Sequence, residues 1–195
     1  MRDLPAILIL AAGDSRRMRG GDKLLEPVDG TPLILRAVRA ATAASPEVIV
    51  ALPPNSPRRC WLGDVSARIV EVPERAMSAS IRRGVENCRA NALMIHLADM
   101  PEIEAADLEA LAQAWTETDT PILQATTEDG KRGQPVIFAR SLFEDLFELE
   151  GDMGARPLIA RHPVAHHVLP GQRATTDLDT PEDWAEWRRR TGRLS

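Results

Sequence analysis

The segment from Gly13 to Lys23 contains the residue types that proteins use to bind phosphate. It carries four cationic side chains, three glycines and one serine. Glycine lets the backbone approach a ligand closely, and the exposed N–H groups of a tight loop form a nest for anions. Arginine adds bidentate hydrogen bonds and lysine adds a compact charge, and both suit phosphate oxygens. We therefore expect an anion-binding loop here rather than a solvated charged loop.

Two familiar phosphate-binding patterns do not fit this loop. A dinucleotide fingerprint needs G-x-G-x-x-G, but the glycine that follows Gly13 is Gly20. A P-loop needs G-x-x-x-x-G-K-[ST], but Lys23 follows Asp22 and precedes Leu24. The loop therefore belongs to another class of nucleotide or phosphate site.

Carboxylates at two predicted turns are candidate ligands for a divalent cation. Asp99 follows an apolar run and precedes Met100-Pro101, which turns the chain. Asp177 and Asp179 have the spacing that places both side chains on one face of an extended segment. Mg²⁺ prefers oxygen ligands and commonly takes one or two protein carboxylates. The residues alone also allow Asp99 to cap a turn and Asp179 to cap the next helix.

The chain alternates short apolar runs with helical patterns, which is typical of an α/β fold with a mainly parallel sheet covered by helices on both faces. Strands are predicted at 6–11, 48–52, 68–72, 92–98 and 164–169, and the segments 121–125 and 135–139 flank a polar loop. Helices are predicted at 31–41, with Thr31 as N-cap, and at 80–89, 105–118, 141–147, 156–160 and 180–190. Ligands of such sheets bind beyond the carboxyl ends of the strands, where both Gly13 and Asp99 are expected.

Length, charge and cysteine content limit the function classes. The 195 residues predict a single domain spanning 1–195. The net charge of −5 argues against a nucleic-acid or anionic-membrane surface, because both need a basic face. The longest apolar stretch is too short to span a membrane, and its flanks are not those of a signal peptide. Two cysteines are too few for a disulfide framework, so we expect reduced thiols and a cytoplasmic protein. His96 lies in an apolar run and is predicted to be a hydrogen-bonded core residue rather than a ligand.

Seven short motifs between residues 10 and 183 resemble those of the nucleotidyltransferases that activate sugars, alditols and molybdopterin. The similarity is closest to the molybdenum cofactor cytidylyltransferase and guanylyltransferase group. The motifs occur in the order that the family has. They are Leu10-Ala11-Ala12-Gly13-x-Ser15-x-Arg17-Met18 with Lys23-Leu24-Leu25, Gly30-Thr31-Pro32-Leu33, Met77-Ser78-Ala79-Ser80-Ile81-x-x-Gly84, Leu97-Ala98-Asp99-Met100-Pro101, Gly130-x-x-Gly133-x-Pro135-Val136-x-Phe138, Gly151-Asp152-x-Gly154-Ala155-Arg156 and Asp177-x-Asp179-Thr180-Pro181-Glu182-Asp183. The resemblance implies a three-layer, Rossmann-like nucleotidyltransferase fold.

The resemblance implies nucleotidyl transfer, in which a phosphate oxygen of an acceptor attacks the α-phosphorus of an NTP and pyrophosphate leaves. It implies catalytic roles for Arg17, Lys23 and Asp99. Asp99 and Asp179 would bind Mg²⁺, with Asp177 as the competing second ligand. The residues that the resemblance places at the nucleotide are Leu10, Ala11, Ala12, Gly13, Ser15, Arg17, Lys23, Ser80 and Asp99. For Ser80, a helix N-cap is the alternative role.

The acceptor side of the motifs departs from the family at one position. The resemblance implies that Gly133, Gln134, Asp152 and Arg156 face a molybdopterin-type acceptor. Gln134 stands where the family often has histidine, and glutamine cannot titrate, so any proton transfer made there in relatives is absent. A second departure lies in the loop, where Arg19 stands at a position that is often glycine.

The residues of two motifs indicate which base the donor nucleotide carries. In the resembled group, cytidylyltransferases tend to have Ala-Ala-Gly in the loop and Asp-Met-Pro at the metal site, as at 11–13 and 99–101 here. Guanylyltransferases tend to have Leu-Ala-Gly-Gly and Cys-Asp-x-Pro. CTP is therefore the expected donor.

The leading hypothesis is a Mg²⁺-dependent cytidylyltransferase that attaches CMP to molybdopterin. One alternative uses GTP, and another uses a different small phosphorylated acceptor such as an alditol phosphate. A non-enzymatic alternative is a protein that delivers the finished cofactor, but Lys23 and Asp99 together favour catalysis. A molybdoenzyme or its chaperone is the expected protein partner, and neither nucleic acid nor a membrane is expected.

Overall fold

The computed structural model describes residues 2–152 and 154–194, and its centre is a β-sheet. The strands in these ranges are β1 (Ala6–Leu10), β2 (Pro27–Val28), β3 (Thr31–Pro32), β4 (Val48–Leu52), β5 (Arg68–Glu71), β6 (Ala92–Leu97), β7 (Ile122–Thr126), β8 (Arg132–Ala139) and β9 (Val164–Val168). Seven of them form one sheet in the order β5-β4-β1-β6-β8-β7-β9, and β2 and β3 form a separate hairpin.

The large sheet is mainly parallel, as the sequence predicts. β1 pairs in parallel with β4 and β6, so that Leu8 lies opposite Ile49 on one side and Ile95 on the other. A short loop joins β7 and β8 as an antiparallel hairpin, and β8 also runs antiparallel to β6 on its other side. The carboxyl ends of β1 and β6 therefore meet at one edge of the sheet.

Helices cover both faces of the sheet. In the part of the chain that the structure describes, the α-helices are α1 (Leu33–Ala44), α2 (Met77–Asn87), α3 (Ala105–Glu117), α4 (Phe143–Phe147), α5 (Arg156–Ile159) and α6 (Pro181–Thr191). One core, which includes Leu111 and Trp184, lies under α1, α3 and α6, and the other, which includes Ile81 and Phe143, lies under α2, α4 and α5. The predicted three-layer α/β architecture is confirmed. None of the described helices has the length and apolarity that crossing a bilayer requires.

The first helix begins later than predicted, because a hairpin precedes it. Thr31 and Pro32 form β3, which pairs antiparallel with β2, and α1 begins at Leu33 with Pro32 as its N-cap. Asp29 and Gly30 have φ values of 50° and 75°. Two consecutive positive φ values suit the two-residue turn of a twisted hairpin. The Asp-Gly pair thus gives Thr31 a strand role in place of the predicted helix cap.

The second helix packs closely against β1. It begins at Met77 rather than at Ser80, so Ser80 lies inside the helix and is not its N-cap. Gly84 weakens the helical pattern in the sequence, but a Cβ at this position would lie 2.2 Å from Cδ2 of Leu8. The absence of a side chain at Gly84 therefore lets α2 approach the sheet.

His96 is buried in β6 as predicted, but its ring is not hydrogen-bonded. The side chain has no exposed surface, and neither ring nitrogen has a partner among the described residues. Burial lowers the pKa of His96 from 6.5 to about 4, because the core does not solvate a charged imidazole. The sequence expectation was right about burial and wrong about hydrogen bonding.

From the lowered pKa of His96 we predict that the folded protein loses stability as the pH falls. Between pH 6.5 and about 4 the unfolded chain takes up a proton at His96 and the folded chain does not. The free energy of unfolding therefore falls as the pH falls through this window, by about 3 kcal/mol when the window is complete. Denaturant unfolding at several pH values measures the decline. The variant His96→Leu should decline less than the wild type, and the exposed control His166→Leu should not differ from it. Equal pH dependence in all three proteins would contradict the prediction.

Candidate active site

The predicted nucleotide residues lie together at the carboxyl edge of the sheet. Two adjoining cavities occur there, which we name the loop cavity (about 380 Å³) and the central cavity (about 370 Å³). Arg17, Lys23 and Asp179 line both. Ser15 lines the loop cavity, and the central cavity is lined by the other predicted nucleotide residues, namely Leu10, Ala11, Ala12, Gly13, Arg17, Lys23, Ser80 and Asp99.

The loop after β1 is closed by a buried methionine and by a serine. Its short 3-10 turn, Arg16–Met18, places the Met18 side chain in the core. Ser15 Oγ donates to Asp22 Oδ1 at 3.1 Å and accepts the N–H of Lys23 at 3.0 Å. These contacts bring the two ends of the loop together and leave the arginines of the turn in solvent.

The backbone explains why glycine suits the position of Arg19. Arg19 has φ 52° and ψ 38°, which is the left-handed region. A residue with a side chain pays about 1 kcal/mol there, and glycine does not. The Arg19 guanidinium lies 2.5 Å from Glu182 on α6, but both side chains are exposed, so the pair adds little stability.

The ammonium group of Lys23 lies between two carboxylates from distant parts of the chain. Nζ contacts Asp99 and donates to Asp179 Oδ1 at 2.7 Å, and Arg17 pairs with the other oxygen of Asp179 at 2.6 Å. Burial by itself lowers the pKa of Lys23, but the charges and hydrogen bonds of Asp99 and Asp179 outweigh it and raise this pKa above 10.5. Lys23 is therefore a fixed positive charge at neutral pH.

The same carboxylates have the chemistry of a divalent-cation site. Asp99 Oδ1 is buried and accepts no hydrogen bond from the described residues, while the neighbouring oxygens already share a cation, the Lys23 ammonium. Within residues 2–152 and 154–194, no three His, Cys, Asp or Glu side chains form a metal site by themselves. A cation at Asp99 and Asp179 would thus take further ligands from phosphate and water, as Mg²⁺ commonly does.

Asp177, the competing second ligand, lies close to this group. Desolvation, followed by the charges of Asp99 and Asp179, raises the pKa of Asp177. It lines the central cavity, but the Lys23 ammonium is shared by Asp99 and Asp179. The geometry therefore favours Asp179 as the partner of Asp99.

Small and apolar side chains form the inner wall of the central cavity. Leu10 and Leu97 stand at the ends of β1 and β6, and Ala12 lies half-buried beside them. Ser80 projects from α2 and is 4% exposed. An apolar wall with a few polar groups is the usual environment of a bound base or other flat ligand.

A third cavity of about 250 Å³, which we name the β8 cavity, contains all four predicted acceptor residues. They are Gly133, Gln134, Asp152 and Arg156. Asp152 and Arg156 line the central cavity as well, so the two cavities adjoin. Asp152 also has a structural contact, because its Oδ1 accepts the N–H of Met77 at 3.0 Å at the start of α2.

Gly133 is required by a close crossing of two backbone segments. A Cβ at this position would lie 1.9 Å from the carbonyl oxygen of Ala174. The same carbonyl accepts the N–H of Gln134 at 2.8 Å. This crossing fixes the backbone that carries Gln134 at the wall of the β8 cavity.

Arg75 and Gln124 are among the cavity residues that the sequence analysis did not predict. Arg75 lines the loop and central cavities and pairs with Asp14 at 2.9 Å. It lies in a loop, where a single arginine has no spacing that marks it. Gln124 lines the β8 cavity from within β7, and its side-chain carbonyl has no donor among the described residues. A polar residue inside an apolar strand was the available signal for Gln124.

Comparison with known proteins shows that most of the chain is similar to nucleotidyltransferases. Residues 7–167 match a family model described as the MobA-like NTP transferase domain. A molybdenum cofactor guanylyltransferase of Burkholderia vietnamiensis is 28% identical over 196 residues, which cover 94% of this chain and 95% of the relative.

Solved structures share the fold of this chain. Rv0371c from Mycobacterium tuberculosis superposes with a TM-score of 0.80 at 28% identity, covering 95% of this chain and 98% of the other. A complex of Rv0371c with manganese superposes with a TM-score of 0.78 at 27% identity, covering 94% and 97% of the two chains. The family model, the relatives and the arrangement of charges around the loop agree, and we conclude that the chain belongs to the MobA-like NTP transferase family and is a nucleotidyltransferase.

Proposed function

We propose that this nucleotidyltransferase acts in molybdenum cofactor biosynthesis, where it transfers a nucleotidyl group from an NTP to molybdopterin with the aid of Mg²⁺. The observation that carries the proposal is the Lys23 ammonium held by Asp99 and Asp179 beside the loop cavity. A triphosphate needs cations around its oxygens and a carboxylate pair to hold a metal ion, and this cluster supplies both. The name of the Burkholderia relative supports the acceptor.

The reaction is a displacement at phosphorus. A phosphate oxygen of the acceptor forms a bond to the α-phosphorus, the bond from that phosphorus to the bridging oxygen breaks, and pyrophosphate leaves with the electron pair. A metal ion at Asp99 and Asp179 would neutralise negative charge on the phosphates. Such transfer depends mainly on positioning and charge stabilisation, so the protein needs no covalent intermediate.

The chain's own cations have distinct parts in this proposal. Arg17 reaches the loop cavity from the exposed side, and Lys23 reaches it from the buried side. Both side chains pair with carboxylates in the structure and would turn part of their contacts toward phosphate oxygens when a nucleotide binds. Both carry positive charge into the cavity, where they would stabilise the negative charge that accumulates on the leaving pyrophosphate.

The acceptor would occupy the β8 cavity. Gln124 and Gln134 line it, and each amide offers both a donor and an acceptor, which the hydrogen-bonding edge of a pterin can pair with. Arg156 lies where the β8 and central cavities adjoin, so its guanidinium would hold the acceptor phosphate near the α-phosphorus.

CTP is the donor that we propose. Ala12 places a methyl group in the wall of the central cavity, at a position where the resembled guanylyltransferases tend to have glycine. A methyl group reduces the room for a purine more than for a pyrimidine. GTP is the second candidate, because the Burkholderia relative is named a guanylyltransferase.

Thermal unfolding with Mg²⁺ and each of CTP, GTP, ATP and UTP tests the base. A nucleotide that binds only the folded chain adds about 2.7 kcal/mol of stability at a hundredfold excess over Kd. We expect CTP to raise Tm most in the wild type. The variant Ala12→Gly should narrow the difference between the Tm shifts with CTP and GTP, whereas Ala67→Gly, at a position that lines none of the three cavities, should not. A largest shift with GTP would overturn the CTP assignment, and the absence of any shift would contradict nucleotide binding.

Pyrophosphate release with molybdopterin, Mg²⁺ and the preferred nucleotide tests catalysis. Asp99→Asn is isosteric and leaves Lys23 paired with Asp179, so the variant should still fold, which its thermal unfolding checks. Its turnover should fall by more than the roughly 10–100-fold that loss of an outer-shell metal partner costs.

The other aspartates supply the comparison for that assay. Asp179→Asn should lose more activity than Asp177→Asn, and the exposed control Asp64→Asn should lose none. Normal turnover in Asp99→Asn would refute the metal role. Nucleotide binding without any pyrophosphate release by the wild type would favour the delivery-protein alternative.

A further inference from the structure

Arg58 is a buried cation that neither the family motifs nor the proposed reaction uses. It lies in the short 3-10 helix Pro57–Leu62, which follows β4, and it is 5% exposed. Burial of an unpaired charge costs several kcal/mol, and an arginine does not escape that cost by losing its proton. The neighbouring Arg59 is exposed, so the local helix does not require a buried arginine. The contacts of the Arg58 guanidinium therefore identify its role.

The guanidinium joins the two ends of the loop that follows β1. At the beginning of the loop, Nη1 donates to the carbonyl of Ala11 at 2.5 Å and Nη2 donates to the carbonyl of Gly13 at 3.0 Å. At its end, Nε and Nη2 bind the two carboxylate oxygens of Asp22 at 2.7 and 2.8 Å. One planar group thus holds three points of a loop, a geometry that the single charge of lysine does not reproduce.

Asp22 passes this restraint on to Lys23. Its Oδ1 also accepts the hydroxyl of Ser15 at 3.1 Å and the N–H of Leu24 at 3.0 Å. Ser15 in turn accepts the N–H of Lys23 at 3.0 Å. The backbone on both sides of Lys23 is therefore tied, through Asp22, to the buried arginine.

The carbonyl contacts also determine where the loop N–H groups point. In a trans peptide the C=O of one residue and the N–H of the next point in opposite directions. Since the carbonyls of Ala11 and Gly13 face Arg58, the N–H groups of Ala12 and Asp14 face away from it. Ala12 and Asp14 both line the central cavity, and neither N–H donates to another described residue.

We propose that Arg58 is the positioning residue of the phosphate loop: from behind the loop it aims the Ala12 and Asp14 N–H groups into the cavity and fixes the backbone at Lys23. The proposal rests on the proposed function for the identity of the anion, which is the triphosphate. It does not rest on that function for the rigidity of the loop, so the two can be tested separately.

Trypsin tests the rigidity without any nucleotide. Arg16, Arg17 and Arg19 are exposed cleavage sites within the loop, and cleavage there follows the population of opened loop. Arg58→Met keeps an apolar stem and removes every guanidinium contact, and Arg58→Lys keeps the charge. Both variants should be cut in the loop faster than the wild type, as mapped by mass spectrometry at a temperature where all are folded. The control Arg59→Met, which removes an exposed pair with Glu71, should be cut at the wild-type rate.

Nucleotide affinity tests whether Arg58 orients the Ala12 and Asp14 N–H groups toward the ligand. We expect calorimetry with Mg²⁺ and the nucleotide that stabilises the wild type most to give a Kd about tenfold higher or more in Arg58→Met. The reason is that the Ala12 and Asp14 N–H groups lose their orientation, and with it their charge-assisted hydrogen bonds to the phosphate. Arg58→Lys should not restore the wild-type Kd. Asp22→Asn should weaken nucleotide binding as well. Because both residues act through the same contacts, the loss of binding free energy in the double variant Arg58→Met/Asp22→Asn should be clearly smaller than the sum of the two single losses.

The outcomes separate the two proposals. If Arg58→Met has a lower Tm but wild-type loop cleavage and wild-type Kd, Arg58 only stabilises the fold and our inference is wrong. If the wild type binds no nucleotide, the proposed function fails, and faster loop cleavage in both Arg58 variants still supports the positioning role, whereas unchanged cleavage overturns it. Additive effects of Arg58→Met and Asp22→Asn on Kd would also contradict the route through Asp22.

Discussion

The site depends on holding a cation and two carboxylates together in a largely dehydrated place. Removing such charges from water costs several kcal/mol for each ion, and only close geometry recovers it. Lys23 comes from the loop after β1, Asp99 from the end of β6, and Asp179 from the segment before α6. The electrostatic cluster therefore ties together three segments that are remote in sequence, and each of these segments depends on the others for charge balance.

A buried cation and a partly buried cation act on opposite sides of the same loop. Arg58 contacts backbone carbonyls and Asp22 behind the loop, whereas Lys23 faces the carboxylates in front of it. Consecutive residues, Asp22 and Lys23, thus belong to two separate charge networks. The acidic net charge of the chain conceals this arrangement, because the positive groups that matter are few and are concentrated at one edge of the sheet.

The strand pattern and the motifs predicted the architecture and the neighbourhood of the site. The apolar runs at β1, β4 and β6 are short and continuous, which is typical of strands covered on both faces, and the structure bears them out. The start of α1 was mispredicted, because the Asp29-Gly30 turn competes with a helix cap at Thr31. Local patterns do not show which of two compatible structures tertiary packing selects.

The roles of residues that depend on tertiary contacts could not be predicted from the sequence. Arg58 has exposed arginines nearby in the sequence, and nothing in its spacing distinguishes it from them. The lack of hydrogen bonds at His96 likewise depends on what surrounds β6. By contrast, the glycine preference at Arg19 follows from a single backbone conformation, and the family pattern had already marked that position.

Helix α6 has a consequence for the order in which the charge cluster is completed during synthesis. Asp179 directly precedes Thr180, which caps α6 in a capping box with Asp183, and Trp184 and Trp187 bury the helix against the sheet. The matched family segment ends at 167, so this carboxylate comes from beyond it. A nascent chain completes the glycine-containing loop long before the ribosome has released α6. The loop is therefore made before its carboxylate partner, and the docking of α6 is the event that completes the pair of carboxylates around Lys23.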